Sequence, residues 1–302
     1  MKITPVIVTY NRLEKLKKAI AAVLAQDFDS IVVVNNNSTD DTKAWLDEQT
    51  DSRLKILNLE ENTGGAGGFY HGCRYATEEL ETDWLLLFDD DAYPREDLVE
   101  KFRALDLSNY KDLGAISCAV YMPDGVLADF NRPGRNPFNS LTNTFKYLFT
   151  KTGTYINYEE LEHGNAVPVD FSSFVGFCVK TEVIKAGLGY PLKEFFIYGD
   201  DWTYSLELSK LGYKNLYFSD LVFYHDSNTF VQNYDEQLWK KYYAYRNSLF
   251  FYKRASGLFF PIVFLAKLFR WFLDVFKYKQ KLKYFNTIFR ACRDFPKLRY
   301  AN

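Results

Sequence analysis

Residues 84–91, WLLLFDDD, run five apolar side chains directly into three carboxylates. The apolar run has the length of a buried strand, so the acids fall at its carboxyl end. Upstream the chain alternates in the same way. Apolar strands are expected at 3–9, 31–34 and 54–59, and helices at 12–25, from a Ser38-Thr39-Asp40 cap to about 49, and from a glycine-rich turn at 62–68 through 79. A helix at 95–105 and a strand near 115–121 extend this βα rhythm. It predicts an α/β fold with a mostly parallel central sheet flanked by helices. Residues 122–165 lose all periodicity and read as long connections with short helices, a length of loop that is often functional. Regular pattern returns with a strand at 174–180, a helix at 201–211, strands near Leu216 and Val222, and a helix at 235–253.

Open sheets of this kind present ligands at the carboxyl ends of their strands. Four groups fall there: Thr9-Tyr10-Asn11, Asn35-Asn36-Asn37, the turn at 62–68, and Asp89-Asp90-Asp91. Any one of them is an ordinary turn, since Asn tolerates left-handed backbone. In order, at successive strand ends, they point to a nucleotide pocket. Asp89 and Asp91 project to the same side of an extended backbone, where both can face one hard divalent cation, Mg²⁺ or Mn²⁺, that would clamp a diphosphate. The alternative is a solvated acidic turn capping the helix near Arg95. The glycine cluster in ENTGGAGGFYHG lacks the spacing of a dinucleotide fingerprint. Its glycines let the backbone approach a bulky ligand, with Ala66 onward offering a helix N-terminus to anions, unless they form only a flexible turn. Asp200-Asp201 opens a helix, where one carboxylate can cap and the other act as a general base, though capping alone explains such a pair. His225, in LVFYHDS, ends an apolar strand; a lone His there is more often a core or surface residue than a ligand.

Composition bounds the function classes. With 47% hydrophobic and 25% charged residues the chain is globular, and its net charge of −2 excludes a nucleic-acid-binding polycation. That net charge hides an asymmetry. Residues 253–302 hold 12 Lys/Arg against two acids, whereas the rest hold 25 bases against 37 acids. Cys73, Cys118, Cys178 and Cys292 are scattered, without metal spacing, as expected of reduced thiols. The N-terminus lacks the apolar core of a signal peptide, and no run reaches the 18 apolar residues of a membrane span. The expected location is therefore cytoplasmic.

The order TYNR, NNNSTDDT, NTGGAGGF, DDD, GDDWTYSLEL and YH resembles glycosyltransferase family 2, inverting metal-dependent enzymes of the GT-A fold, over about residues 3–254. The GGAGGF turn, the FDDDA strand end and YYAYRNSLFF look most like bacterial galactofuranosyltransferases, with rhamnosyltransferases close by. The resemblance implies residue roles. Asp89 and Asp91 would hold the cation with His225 as a third ligand, and Asp90 would lie toward the donor. Thr9, Asn11 and Asn36 would line the base and ribose, with Asn62, Gly64 and Gly65 close to the diphosphate and sugar. Asp201 would be the general base, with Asp200 beside it. Galactofuranosyltransferases commonly carry Trp two positions before the base; here that position is Gly199, and Trp202 follows Asp201, at the acceptor subsite. The implied activity moves a sugar, galactofuranose from UDP-galactofuranose or rhamnose from dTDP-rhamnose, to a glycan or lipid-linked acceptor in cell-surface polysaccharide synthesis. A nucleotidyltransferase and an inactive sugar-nucleotide-binding protein are the readings from other classes.

The implied catalytic domain spans 1–254, with a nucleotide-sugar half at 1–121 and an acceptor half at 122–254. The basic remainder, 255–302, reads as an amphipathic helical tail. Leu258, Ile262, Leu265, Phe269, Phe272 and Phe276 recur at helical spacing on one face, and Lys267, Arg270, Asp274, Lys277 and Lys281 on another. Such a tail either packs on the catalytic domain or a second copy in a homo-oligomer, or lies on an anionic membrane, which would place the protein peripherally on the inner face. The membrane reading counts Phe259, Phe260, Trp271, Tyr278 and Phe285 among its inserting aromatics and expects a helix break at Pro261.

Overall fold

The computed structural model describes residues 1–150, 154–227 and 237–300. The first half is a βα alternation: β1 (Ile3–Thr9), α1 (Leu13–Leu24), β2 (Ile31–Asn35), α2 (Thr42–Asp47), β3 (Leu54–Asn58), α3 (Gly64–Glu79) and β4 (Trp84–Asp89). β1 pairs in parallel with both β2 and β4, and β2 with β3. The register sets Thr9 opposite Asn35 and Asn35 opposite Asn58, with Val8 opposite Asp89. The carboxyl ends of four strands thus form one edge, and the apolar run 84–88 is buried at its centre.

The second half mixes directions. β5 (Ala92–Pro94), α4 (Leu98–Ala104), β6 (Leu113–Tyr121), α5 (Leu141–Thr150), α6 (Tyr158–His163), β7 (Val167–Val169), β8 (Phe177–Lys180), α7 (Thr181–Val183), α8 (Asp200–Lys210) and β9 (Lys214–His225) give the sheet order β3-β2-β1-β4-β8-β6-β9-β5, with β7 also on β9. β8 runs antiparallel to β4 and β6, while β6 and β9 are parallel. The strands expected near Leu216 and Val222 are one twelve-residue strand, interrupted by a register shift against β6.

The glycine run has a packing cause as well as a conformational one. A Cβ on Gly68 would lie 2.4 Å from Val8 Cγ1, and one on Gly72 2.4 Å from Val6 Cγ1, so α3 sits on the sheet only because these positions carry no side chain. Gly64 has φ +71°, and a Cβ there would meet the Phe196 carbonyl oxygen at 2.0 Å.

The C-terminal region is α9 (Leu238–Ser256), α10 (Phe260–Leu273) and α11 (Lys281–Asp294). The sequence places the start of the α9 helix at 235, but residues 228–236 lie outside the described ones. The basic segment is not one helix. Pro261 sits in the first turn of α10, where a missing N–H costs nothing, and so starts the helix rather than breaking it. A 3₁₀ turn at Asp274–Lys277 then separates α10 from α11. Trp271 and Tyr278, expected among the inserting aromatics, turn inward. Trp271 stacks on Tyr245 with centroids 4.2 Å apart, and Tyr278 on Tyr284 at 4.1 Å. Leu298 and Tyr300 return to pack with Ala66, Phe195 and Phe250.

Candidate active site

β5 pairs with β9 so that Ala92 faces His225, which brings the acidic triplet and the distant histidine together. His225 Nε2 lies 3.2 Å from Asp91 Oδ1, and its Nδ1 is 2.8 Å from the Asn131 side-chain oxygen. Asn131 therefore orients the imidazole with its other nitrogen toward the carboxylate. The Arg12 guanidinium donates to Asp91 at 2.7 Å and to Asp90 at 3.3 Å. Asp90 also accepts from Thr9 Oγ1 at 2.8 Å and from the Tyr10 N–H at 3.3 Å.

The three acids carry different electrostatics. Burial drives the Asp89 carboxyl well above its ordinary pKa, and repulsion from Asp91, Asp90 and Asp200 adds to the rise. Burial likewise pushes Asp90 up to about 6, against the pull of Arg12 and Thr9. Asp91 is buried too, but the hydrogen bond and charge of His225, with Arg12 and Lys15, outweigh that cost and hold it below the usual carboxylate value. Asp89 is the group most in need of an added positive charge.

On the opposite bank, Gly199 in left-handed geometry starts α8, which places Asp200 and Asp201 in its first turn. Burial raises both carboxyls, and Asp200 raises Asp201 further. They face different neighbours. Asp200 bears on Asp89, whereas the charge of Asp201 is felt by Tyr155. Asp201 Oδ1 accepts from the Trp202 N–H at 2.7 Å, and Trp202 packs against Phe171 with centroids 5.3 Å apart.

The residues expected around the donor are mostly engaged in building its loops. Asn11, with φ 55°, accepts from the Thr39 N–H at 2.7 Å. Asn36 is buried and donates to the Gly64 carbonyl at 2.9 Å while accepting from the Thr63 N–H at 2.9 Å. Asn62 accepts from the Gly64 N–H at 2.8 Å. Gly65 differs: a Cβ there would meet nothing within 4 Å, so its backbone borders open space.

Three residues of this site were not singled out in the sequence. Arg12 reads there only as the first residue of the helix at 12–25, within TYNR, and Asn131 lies in the aperiodic segment. The third is Asn247 of α9, fully buried, whose amide nitrogen donates to the carbonyls of Phe195 (3.0 Å), Ile197 (2.9 Å) and Tyr198 (2.8 Å). Phe196 and Tyr198 both have positive φ, a strained geometry for residues with side chains. One amide thus pins the turn that aims Asp200 and Asp201. We predict that Asn247→Ala leaves the Ile197 and Tyr198 carbonyls without their side-chain donor, at about 1–3 kcal/mol for a buried group, while the Phe195 carbonyl keeps the Ile197 N–H and Arg246. Its Tm should fall and turnover should fall more than donor affinity; unchanged thermal melting would show that the clamp carries no stability.

A sheet edge that gathers an acidic strand end, a histidine and a facing pair of carboxylates is the frame of the GT-A sugar-nucleotide transferases, and this fold is of that type. The model of glycosyl transferase family 2 matches residues 4–158, and the chain belongs to that family. It is 35% identical over 96 residues to the galactofuranosyltransferase GlfT1 of Mycolicibacterium smegmatis, covering 31% of each chain. It is 36% identical over 95 residues to the GalNAc(5)-diNAcBac-PP-undecaprenol beta-1,3-glucosyltransferase of Campylobacter jejuni, covering 30% of each. These matches span less than a third of the relatives' own length. Among solved structures, S. aureus TarS aligns over 98% of this chain and 49% of its own, with TM-score 0.59 and 18% identity. The mannosyltransferase PcManGT from Pyrobaculum calidifontis, in complex with GDP-Man and Mn²⁺, aligns over 99% and 76% with TM-score 0.53 and 17% identity. These two show the likeness of fold.

Enzymes of this fold commonly use a divalent cation. Among the described residues no three His, Cys, Asp or Glu side chains already form a cluster that could hold a metal ion. The donor chemistry nevertheless fits a hard cation: a carboxylate and an imidazole nitrogen 3.2 Å apart, the imidazole fixed from behind by Asn131, and Asp89 under like-charge repulsion beside them. Arg12 supplies positive charge at the same carboxylates.

Proposed function

We propose that the protein transfers a sugar from a nucleoside-diphosphate donor to an acceptor hydroxyl with inversion, and that galactofuranose from UDP-galactofuranose is the donor sugar. The observation that carries this reading is the opposition of two carboxylate groups. Asp89–Asp91 with His225 form one group, read as the donor side, and Asp201, which accepts from the Trp202 N–H, belongs to the other, read as the acceptor side. Asp91 and His225, with Asp89 beside them, would hold a divalent cation whose charge supports the departing diphosphate. Asp201 takes the acceptor proton as the hydroxyl attacks the anomeric carbon. Similarity to GlfT1 favours the galactofuranosyl donor over dTDP-rhamnose. Family membership argues against the nucleotidyltransferase reading.

The acceptor is read as lipid-linked, reached by the basic C-terminal helices lying on the inner face of the cell membrane; the named glucosyltransferase relative acts on an undecaprenol-carried glycan. No helix of the described residues is long and apolar enough to cross a membrane.

A panel of nucleotide sugars incubated with pure protein and Mn²⁺ tests the donor assignment through release of free UDP or dTDP. UDP release from UDP-galactofuranose is expected, abolished by EDTA and by Asp91→Ala. Full activity in EDTA overturns the cation reading, and preference for dTDP-rhamnose overturns the sugar.

A further inference from the structure

A cavity of about 350 Å³ opens beside the base. Tyr147, Tyr155, Phe171, Trp202, Tyr252 and Trp271 give it aromatic walls, and its volume falls at the lower end of ligand pockets. It adjoins Asp201 through Trp202, whose N–H donates to Asp201 Oδ1 at 2.7 Å and whose ring lies 6.2 Å from that of Tyr155. Its charged lining is Lys267 and Arg270 of α10 and Asp274 at the start of the 3₁₀ turn that follows.

These charged groups do not belong to an ordinary aromatic core. Lys267 and Arg270 are three apart and share one side of the helix. Lys267 Nζ donates to Tyr252 Oη at 2.6 Å and sits 4.0 Å from the centre of that ring. Arg270 is exposed, and the acid, Asp274, is paired with Lys277 at 2.6 Å. The cavity's balance of charge is therefore positive, at a place where aromatic rings would otherwise favour a neutral ligand. On the same helix, Leu265, Phe269 and Leu273 are 65%, 66% and 54% exposed.

We propose that this cavity is the acceptor subsite, and that Lys267 and Arg270 recognise the phosphate or diphosphate that joins the acceptor sugar to its lipid. The inference rests on the reading of the protein as a glycosyltransferase with a lipid-linked acceptor. Three chemistries stand together here in the combination such an acceptor has. Aromatic faces beside Asp201 stack on the apolar face of a sugar ring. A guanidinium and an ammonium match phosphate oxygens, the guanidinium in a two-pronged geometry. Exposed alkyl and aryl side chains on the same helix suit an isoprenoid chain. A free oligosaccharide would use the rings and leave both cations idle.

Trp202 and Trp271 both line the cavity, so tryptophan fluorescence of the full chain reports its occupancy. Titration with farnesyl diphosphate should quench saturably, while farnesol and inorganic pyrophosphate each bind at least tenfold more weakly. Arg270→Ala should weaken farnesyl diphosphate binding by roughly tenfold or more, the scale of a lost charged hydrogen bond. Arg270→Gln is the second variant should the first fail to fold. Equal binding by wild type and both variants, or binding of farnesol as tight as of the diphosphate, overturns the proposal. Inorganic pyrophosphate binding as tightly as the prenyl form overturns the lipid-linked source in favour of a free-phosphate site. Donor hydrolysis by the same wild-type preparation separates the two levels. Hydrolysis without prenyl diphosphate binding removes the subsite and leaves the glycosyltransferase. Failure to bind or hydrolyse any nucleotide sugar removes the reading on which it rests.

Discussion

Asp201→Asn is expected to lose roughly 10²–10⁴-fold in turnover, the usual contribution of a general base, while donor binding survives. The amide keeps the size of the carboxylate and its acceptance of the Trp202 N–H, so the loss isolates proton removal. The same variant should melt at a higher temperature. Burial and Asp200 raise the Asp201 pKa in the folded state. A carboxyl raised on folding binds more protons folded than unfolded, so stability is highest below the unfolded value, near 4, and declines as pH rises toward the folded one. At neutral pH the wild-type protein carries that cost, reduced by the solvent that reaches the cleft, and the amide does not. Each kcal/mol recovered should shift Tm by about 2–4 °C. The wild-type rate should also fall as pH drops through the raised pKa. A twofold loss of turnover would move the base to Asp200, and an unchanged Tm would contradict the buried-charge account.

Replacing Leu265, Phe269 and Phe272 together by Asp should reduce partition onto anionic liposomes roughly 100-fold or more, taking about 1 kcal/mol for each partly inserted apolar side chain. Leu258, Leu265, Phe269, Phe276, Leu282 and Phe289 are each at least 65% exposed, large apolar side chains spread over the C-terminal helices and the turns beside them. With the excess of Lys and Arg in 253–302, this composition supports the proposal that the helices lie in the interface of an anionic bilayer. Wild-type binding should weaken with salt, because the basic residues are screened. Measurement is by co-sedimentation of the full chain, with circular dichroism confirming that the variant folds. Equal sedimentation of the two proteins would assign the face to a second copy of the chain, and the variant would then change the oligomeric state instead.

The sequence reads well where a local pattern has a single physical cause. An apolar run bounded by acids is a strand end, and the β1–β4 half follows from such runs one after another. It reads poorly where the cause is a partner distant in the chain. Nothing near Asn131 announces that it will orient His225, and nothing near Asn247 announces three carbonyls fifty residues earlier. The glycine cluster shows one pattern with two causes: open space beside the backbone at Gly65, and close packing of Gly68 and Gly72 on β1. Periodicity marks Leu258 to Phe276, across α10 and the 3₁₀ turns on either side of it, as one face. It could not tell that Val263 and Trp271, on the other, would be the buried ones. A helix apolar on two sides has no preferred inside until the rest of the chain is folded against it.

That inward face has a practical consequence. Tyr245, Leu249 and Phe250 of α9 are covered by Trp271, Tyr284, Ile288 and the returning Leu298. Asn247, on the same helix, holds the turn before Asp200. Clipping the chain after Arg254, the obvious way to obtain a better-behaved sample, would strip those aromatics bare on the very rod that holds the catalytic turn. Surface substitutions on the outer faces of α10 and α11 are the safer route to crystals or to assays without detergent. They alter what the helices meet outside and leave intact what they brace within.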